Sequence, residues 1–280
     1  MRAEKAHFPI VFMCRMLLVS RAGYYAWRSR GESARRLAKR KLATNVQVIF
    51  DQSRGCYGSP RVHEQTRKLG LTAGHNQVAR AMRKMGIQAR ALRRFVRTTD
   101  SGHEHPTSPN LLQRDFTATA PNQKWASDIT YIPTAQGWLY LAVVVDLFSR
   151  RIVGWSMSSR IDLKLAMAAL TMALEERRPR TGLIHHSDRG SQYAAHEYRE
   201  ALSAAGALSS MSRRGDCWDN AVVESFFSTL KTELVHRKIY LRHADARAEI
   251  FEYLEIFYNR RRIHSTLDYC TPQEYEDKAA

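Results

Sequence analysis

The sequence predicts an α/β domain with a mixed β-sheet, preceded by a basic region that is entirely α-helical. Between residues 128 and 234, β-rich and helical segments alternate in the order βββαβαβα, which is typical of such a sheet. Between residues 33 and 85, apolar residues recur at helical spacing. The 280 residues carry a net charge of +17, and the whole excess lies in residues 1–100, which hold 22 Lys and Arg against 5 Asp and Glu.

This uneven charge is typical of a protein that binds a polyanion, because each neutralised phosphate releases condensed counterions. A basic surface that only keeps the chain in solution is the alternative. No apolar run approaches the ~20 residues of a membrane span, so we expect no membrane association. The four cysteines form no C-x-x-C pair, which argues against a disulfide scaffold or a zinc ribbon and indicates a reducing, cytoplasmic compartment.

The basic region begins with predicted helices over residues 9–18 and 33–50. Two shorter helices follow over residues 60–69 and 75–85, joined by a turn that contains glycine. Such a pair predicts a helix-turn-helix. Three polar residues share the exposed face of its second helix and are candidates for contact with DNA bases or phosphates: Gln77, Arg80 and Lys84.

The α/β region should open with a three-stranded antiparallel meander. The predicted strands cover residues 128–134, 138–146, 151–157, 182–187 and 207–211, and the predicted helices cover residues 161–176, 192–205 and 219–234. We expect Asp219 or Asn220 to cap the last of these helices.

Three acids stand out within these elements. Asp128 lies near the start of the first strand, Asp188 follows the fourth strand, and Glu224 lies in the helix after the fifth. Each acid alone is more often structural than catalytic, but a strand-end acid points into the crevice where α/β sheets bind ligands. Three converging carboxylates would suit Mg²⁺, and two such ions about 3.5–4 Å apart would assist in-line phosphoryl transfer. Lys231 lies two turns beyond Glu224 on the same helix face, where a phosphate could meet it.

The acids are separated by 59 and 35 residues, which resembles the D,D(35)E signature of bacterial transposases and retroviral integrases. Their flanks and a C-terminal motif resemble the OrfB transposase of the insertion sequence 3 family. The motifs are Trp125-Ala-Ser-Asp128-Ile-Thr-Tyr, His186-Ser-Asp188-Arg-Gly-Ser-Gln-Tyr, Asp219-Asn-Ala-Val-Val-Glu224-Ser-Phe-Phe and Tyr258-Asn-Arg-Arg-Arg-Ile-His264-Ser. Tyr24-Tyr-Ala-Trp and Tyr57-Gly-Ser-Pro-Arg-Val extend the resemblance over almost the whole chain.

The resemblance implies a ribonuclease-H-like integrase core, a mixed five-stranded sheet flanked by helices, over residues 118–280 with a C-terminal helical extension. The basic helix-turn-helix region would then cover residues 1–97, and a linker residues 98–117. The resemblance also implies metal-dependent DNA strand cleavage and joining at terminal inverted repeats. Asp128, Asp188 and Glu224 would be the ligands of Mg²⁺ or, in its place, Mn²⁺. Candidates for DNA contact or for support of the site are Ser187, Arg189, Asn220, Lys231, Arg260, Arg261 and Arg262.

The expected partners are double-stranded DNA at the element's ends and at the target, an upstream-frame OrfA protein or a frameshift fusion with it, and further copies of the chain on DNA. The expected place is the bacterial cytoplasm, at the nucleoid when DNA is bound. A non-catalytic DNA-binding repressor or domesticated relic is the alternative, although such a protein has no use for three converging acids. A nuclease that only hydrolyses DNA is a third possibility.

Overall fold

The structure, a computed structural model, describes Met1 and residues 3–89, 108–213 and 217–279, apart from the side chains of Cys217 and Trp218. The chain divides into two compact units. The first unit is Met1–Gln52 with Val62–Gln88, and the second is Ser53–Arg61 with Ala89–Ala280. The expected division at residues 97 and 117 stays a prediction, because much of the expected linker lies outside the described residues.

The helices of the basic region are α1 (Ile10–Met16), α2 (Arg21–Ser29), α3 (Ala34–Gln52), α4 (Ser59–Lys68) and α5 (His75–Lys84). All four predicted helices are confirmed, and α2 is an addition. Ser20 is the N-cap of α2, and its hydroxyl accepts a hydrogen bond from Gly23 N at 2.9 Å. Val78 and Met82 bury the inner face of α5, which leaves its polar face exposed.

The second unit contains one mixed five-stranded sheet, as predicted. Its strands are β1 (Lys124–Thr134), β2 (Gly137–Asp146), β3 (Ile152–Ser158), β4 (Ile184–Ser187) and β5 (Leu208–Met211), in the order β3-β2-β1-β4-β5. The first three strands form the predicted antiparallel meander, whereas β4 runs parallel to both β1 and β5. Strand β1 begins four residues earlier than predicted, because residues 124–127 pair with β4. Asp128 therefore lies inside the strand.

The helices of this unit are α6 (Leu163–Arg177), α7 (Ser191–Ala194), α8 (His196–Ala204), α9 (Ala221–Glu233), α10 (His243–Glu252) and α11 (Pro272–Asp277). A π-helical segment, Tyr253–Tyr258, continues from α10. The helix predicted over residues 192–205 is divided into α7 and α8, because Ala195 between them has an extended backbone with φ −59° and ψ 145°.

A hydrophobic core lies on each face of the sheet. The first core includes buried residues of α9, α10 and the π-helical segment, such as Phe226 and Tyr253. The second includes buried residues of α6, α7 and α8. Helix α6 comes close to β3 at Gly154, where a Cβ atom would stand only 2.2 Å from the carbonyl oxygen of Ala169. In the described parts of the chain, no helix is long and apolar enough to cross a membrane.

Candidate active site

Asp128 and Asp188 lie side by side at the carboxyl end of β4. Ser127 and Ser187 are the last paired residues of the parallel strands β1 and β4, and each is followed directly by one of the two acids. Adjacent strands lie about 4.8 Å apart, so this register alone makes the two acids neighbours. Both Asp side chains are partly buried.

Backbone N–H groups hold one oxygen of each carboxylate. Ile129 N donates to Asp128 Oδ1 at 2.7 Å, and Gly190 N donates to Asp188 Oδ1 at 2.9 Å. The Ser187 hydroxyl donates to the Asp188 carbonyl at 3.0 Å and is itself buried. These bonds fix the turn after β4 and restrict the directions in which both carboxylates point.

Helix α9 carries Glu224 on the same face of the sheet as the first core. Val223 and Phe226 are buried there, whereas Glu224 between them is exposed. Just before the helix, the Asn220 side-chain amide donates to the Ser127 carbonyl at 3.2 Å. The expectation that Asp219 or Asn220 caps α9 is wrong for Asn220, which occupies the N-cap position but makes no capping hydrogen bond with its side chain.

Asp219 anchors the segment that leads into α9. Its carboxylate is fully buried and accepts hydrogen bonds from Arg213 N, Nε and Nη2 at 2.9–3.0 Å. Arg114 Nε donates to it at 3.1 Å and Asn110 Nδ2 at 2.9 Å. The bonds from Arg213 and Arg114 hold the pKa of Asp219 well below its usual range, so the carboxylate stays charged.

The electrostatics of the site show that two of the predicted acids act on the third, Asp128. Burial raises the pKa of Asp128 well above its ordinary value, and the negative charges of Asp188 and Glu224 raise it further. Lys231 opposes this rise, and the Asp128 charge in turn favours the protonated form of Lys231, whose pKa burial lowers. The structure therefore brings Asp188, Glu224 and Lys231 within electrostatic reach of Asp128. In the described part of the chain, no three His, Cys, Asp or Glu side chains already stand close enough together to hold a metal ion.

The two histidines before Asp188, His185 and His186, are buried inside the fold. Ser127 Oγ and Tyr198 Oη share His185 Nε2 at 2.8 and 3.2 Å. His186 lies between the hydroxyls of Ser210 and Ser212. Burial lowers the pKa of His185 to about 3 and that of His186 to about 4, so both are neutral at physiological pH.

Most of the predicted DNA-contact residues are accessible. Gln77, Arg80 and Lys84 are exposed on α5 in the first unit, and Arg260 and Arg261 are exposed in the second. Arg189 is partly buried, and its Nε donates to the Ser212 carbonyl at 2.7 Å. It therefore ties the turn after β4 to the segment after β5.

Arg262 is the exception, because the structure contradicts a role in DNA contact. Its side chain is only 4% exposed, and its Nε and Nη2 donate to the buried Glu233 carboxylate at 2.8–3.1 Å. Tyr253 Oη donates to the same carboxylate at 2.8 Å. Burial disfavours the charged guanidinium, but Glu233 outweighs this and raises the pKa of Arg262. Arg262 thus stabilises the C-terminal part of the core.

Sequence reasoning missed the full role of Asp219 and gave Tyr193 none. A carboxylate that accepts from Arg114 and Asn110, about a hundred residues earlier in the chain, leaves no local pattern. Tyr193 follows a glycine-containing turn and is buried in the second core, where an aromatic residue is ordinary.

Comparisons with known proteins cover nearly the whole chain. Profiles described as an integrase core domain match residues 118–217 and 206–272, and one described as an HTH-like domain matches residues 37–95. The chain is 43% identical over 277 residues to the transposase InsF for insertion sequence IS3A of Escherichia coli strain K12, covering 98% of this chain and 96% of that protein. It is 41% identical over 266 residues to the uncharacterized 31 kDa protein of insertion element IS600 from Shigella sonnei, covering 95% and 98%.

Among solved structures, the chain is similar to the catalytic core domain of HTLV-2 integrase in complex with magnesium, in its dimeric form. That similarity has a TM-score of 0.43 at 17% identity and covers 57% of this chain and 99% of that one. At this level the similarity adds nothing to the family matches.

Proposed function

This chain belongs to the insertion sequence 3 family of transposases, and we propose that Asp128, Asp188 and Glu224 are the carboxylates with which it cleaves and joins DNA. The observation that supports this assignment most strongly is the position of Asp128 and Asp188 directly after paired residues of two parallel strands. Glu224 lies close enough to raise the pKa of Asp128. A crowded group of acids in a protein of net positive charge is suited to phosphodiester chemistry.

A hard divalent cation fits this donor set. Carboxylate oxygens are the ligands that Mg²⁺ prefers. A cation would offset both the burial of the Asp128 charge and its repulsion by Asp188 and Glu224, which together raise the pKa of Asp128. Because no three acids already stand at ligating distance in the described residues, binding would draw the carboxylates together. We propose Mg²⁺ as the ion, with Mn²⁺ able to replace it. When bound, such an ion would polarise the scissile phosphate and stabilise charge on the leaving oxygen.

The protein's own groups prepare the site for an anionic strand. Backbone N–H groups orient Asp128 and Asp188, and Asn220 fixes the start of α9 against β1. Lys231 supplies a positive charge beside Asp128, where it can pair with a strand phosphate. One arrangement serves both steps, in which first water and then a DNA 3′-OH attacks a phosphodiester.

The remaining predicted contacts divide between the two units. Gln77, Arg80 and Lys84 form an exposed polar face on α5, which we propose contacts the terminal inverted repeats. Arg260 and Arg261 are exposed, and we propose that they contact backbone phosphates, as does Arg189. These residues would hold terminal and target DNA.

We further propose that the chain acts with the upstream-frame OrfA protein, or as a frameshift fusion with it, and as a homo-oligomer on DNA. A single recognition helix supplies two good base-reading side chains, Gln77 and Arg80, whereas specific binding commonly uses two half-sites. Because its substrate is bacterial DNA, we place the chain in the cytoplasm, at the nucleoid when DNA is bound.

Labelled terminal-repeat ends separate the transposase from the alternatives. The purified chain, with OrfA or as the fusion, is incubated with the ends in Mg²⁺ or Mn²⁺, and the products are resolved on a denaturing gel. Joined ends support the proposal. Binding without nicking would favour the repressor or relic, and nicking without joining would favour a nuclease.

A further inference from the structure

Tyr193 carries a buried hydroxyl that has no hydrogen-bond partner among the described residues. The side chain lies in α7, five residues after Asp188, and is 2% exposed. A buried, unpaired hydroxyl destabilises the folded state, so native proteins rarely retain one without a use for it.

The geometry of Gly190 places Tyr193 beside the Asp188 carboxylate. A Cβ atom built on Gly190 would stand 3.0 Å from Asp188 Oδ1 and 3.6 Å from Tyr193 Cδ2. The carboxylate and the edge of the tyrosine ring therefore flank the same residue. Tyr193 N donates to the Gly190 carbonyl at 3.0 Å, which fixes the turn between them.

The electrostatics agree with this placement. Burial raises the pKa of Tyr193 well above its ordinary value, and the neighbouring Tyr198 and then the negative charges of Asp128 and Asp188 add to the rise. The phenol therefore stays neutral and keeps its proton to donate, and both acids lie within electrostatic reach of it.

Tyr198 provides an internal comparison. It is 1% exposed, and its ring lies edge-on to that of Tyr193 with the centroids 5.3 Å apart. Its hydroxyl, however, bonds to His185 Nε2 at 3.2 Å and so has a structural partner. Of these two buried tyrosines, only Tyr193 has a hydroxyl without a hydrogen-bond partner among the described residues.

We propose that Tyr193 is a positioning residue of the metal site, whose hydroxyl donates a hydrogen bond to the Asp188 carboxylate when a divalent cation is bound. This inference rests on the proposed function, in which Asp188 is a ligand. Carboxylates that ligate metals are themselves hydrogen-bonded by neighbouring groups, and loss of such a partner weakens metal binding by about 10–100-fold. The bond would point the carboxylate at the ion while Tyr193 makes no contact with the ion itself.

The test compares Tyr193→Phe with Tyr198→Phe in the full-length chain. Mn²⁺ binding is measured by calorimetry, Tm is measured without cation, and end cleavage is titrated with Mn²⁺. Tyr193→Phe should leave the cation-free Tm unchanged or raise it. It should weaken Mn²⁺ binding at least about tenfold and shift the cleavage midpoint by a similar factor. Tyr198→Phe should lower Tm and leave the Mn²⁺ affinity unchanged.

Mn²⁺ binding of wild-type strength in Tyr193→Phe would overturn the inference. So would a cation-free loss of Tm equal to that of Tyr198→Phe, since the hydroxyl would then be structural. Asp188→Ala separates this failure from that of the proposed function. If Asp188→Ala binds Mn²⁺ as wild type does, the carboxylate site itself is wrong.

Discussion

The side-chain amide of Asn220 donates to the carbonyl of Ser127 across 3.2 Å. This bond joins the start of the helix that carries Glu224 to the residue just before Asp128. It thereby fixes the spacing between two distant parts of the chain that carry acids we propose to be catalytic.

Asn220→Ala should therefore reduce activity more than it reduces stability. Loss of one buried hydrogen bond lowers the free energy of unfolding by about 1–3 kcal/mol, and a displaced Glu224 should slow cleavage by about a hundredfold. The measurement is cleavage of a labelled end beside a chemical unfolding curve. Asn259→Ala is the matched control, because the buried Asn259 side chain bonds Ile152 N and O at 3.0 Å on β3. If Asn220→Ala and Asn259→Ala show the same loss of cleavage for the same loss of unfolding free energy, Asn220 has no positioning role.

Gly190→Ala tests whether the turn after β4 must leave room for the Asp188 carboxylate. The backbone of Gly190, with φ −63° and ψ 142°, suits alanine. The new Cβ, however, would stand 3.0 Å from Asp188 Oδ1. The rate of cleavage should fall by about tenfold to a hundredfold. The free energy of unfolding should change by about 1 kcal/mol or less. Gly31→Ala, which meets no atom within 4 Å, should cleave normally. Normal cleavage by Gly190→Ala would show that the carboxylate tolerates the contact.

His185 and His186 should make the fold less stable in mild acid. Burial lowers the folded-state pKa of His185 to about 3 from an ordinary 6.5, so between these values the unfolded chain binds the extra proton. The contribution of neutral His185 to the free energy of unfolding is fully present above pH 6.5 and is lost as the pH falls toward 3. The free energy of unfolding should fall by up to about 1.4 kcal/mol per pH unit for each histidine.

Unfolding curves from pH 7.5 to 4.5 measure this slope. His185→Asn cannot take up the proton, so its curve should be shallower by about one histidine's contribution. An unchanged slope in His185→Asn would mean that another group controls the acid sensitivity.

Substitutions at the three neighbouring arginines, Arg260, Arg261 and Arg262, should have different effects on stability and on DNA binding. Arg262→Met leaves the buried Glu233 carboxylate without its cation, which should lower the free energy of unfolding by about 3–5 kcal/mol. Arg260→Gln and Arg261→Gln, on exposed side chains, should leave stability unchanged. The logarithm of the DNA-binding constant falls linearly with the logarithm of the salt concentration. Each substitution that removes one phosphate contact should make this slope shallower by about 0.9. Gel-shift titrations at several salt concentrations measure this, and equal slopes in all three variants would remove the DNA role of Arg260 and Arg261.

The sequence predicted the sheet, which the structure confirms, and it singled out the three acids as candidates, because both leave local patterns. Alternating β-rich segments show where the strands lie, and an acid directly after an apolar strand, such as Asp188, indicates a crevice. The prediction that Arg262 contacts DNA was wrong, because a run of three arginines gives no sign that one of them pairs with Glu233 on α9. The early start of β1 was missed for the same reason, since its pairing with β4 joins segments about sixty residues apart.

The most direct test of the central claim measures cation binding and DNA joining in the same three variants: Asp128→Asn, Asp188→Asn and Glu224→Gln. Each keeps the size of its side chain and removes one negative charge. Loss of a carboxylate ligand removes several kcal/mol of transition-state stabilisation, so cleavage and joining of labelled ends should fall by about a thousandfold or more. Mn²⁺ binding should weaken in all three variants, whereas gel-shift affinity for DNA should stay near that of wild type. A variant that joins ends at the wild-type rate, with wild-type Mn²⁺ affinity, would contradict the assignment of that acid to the catalytic site.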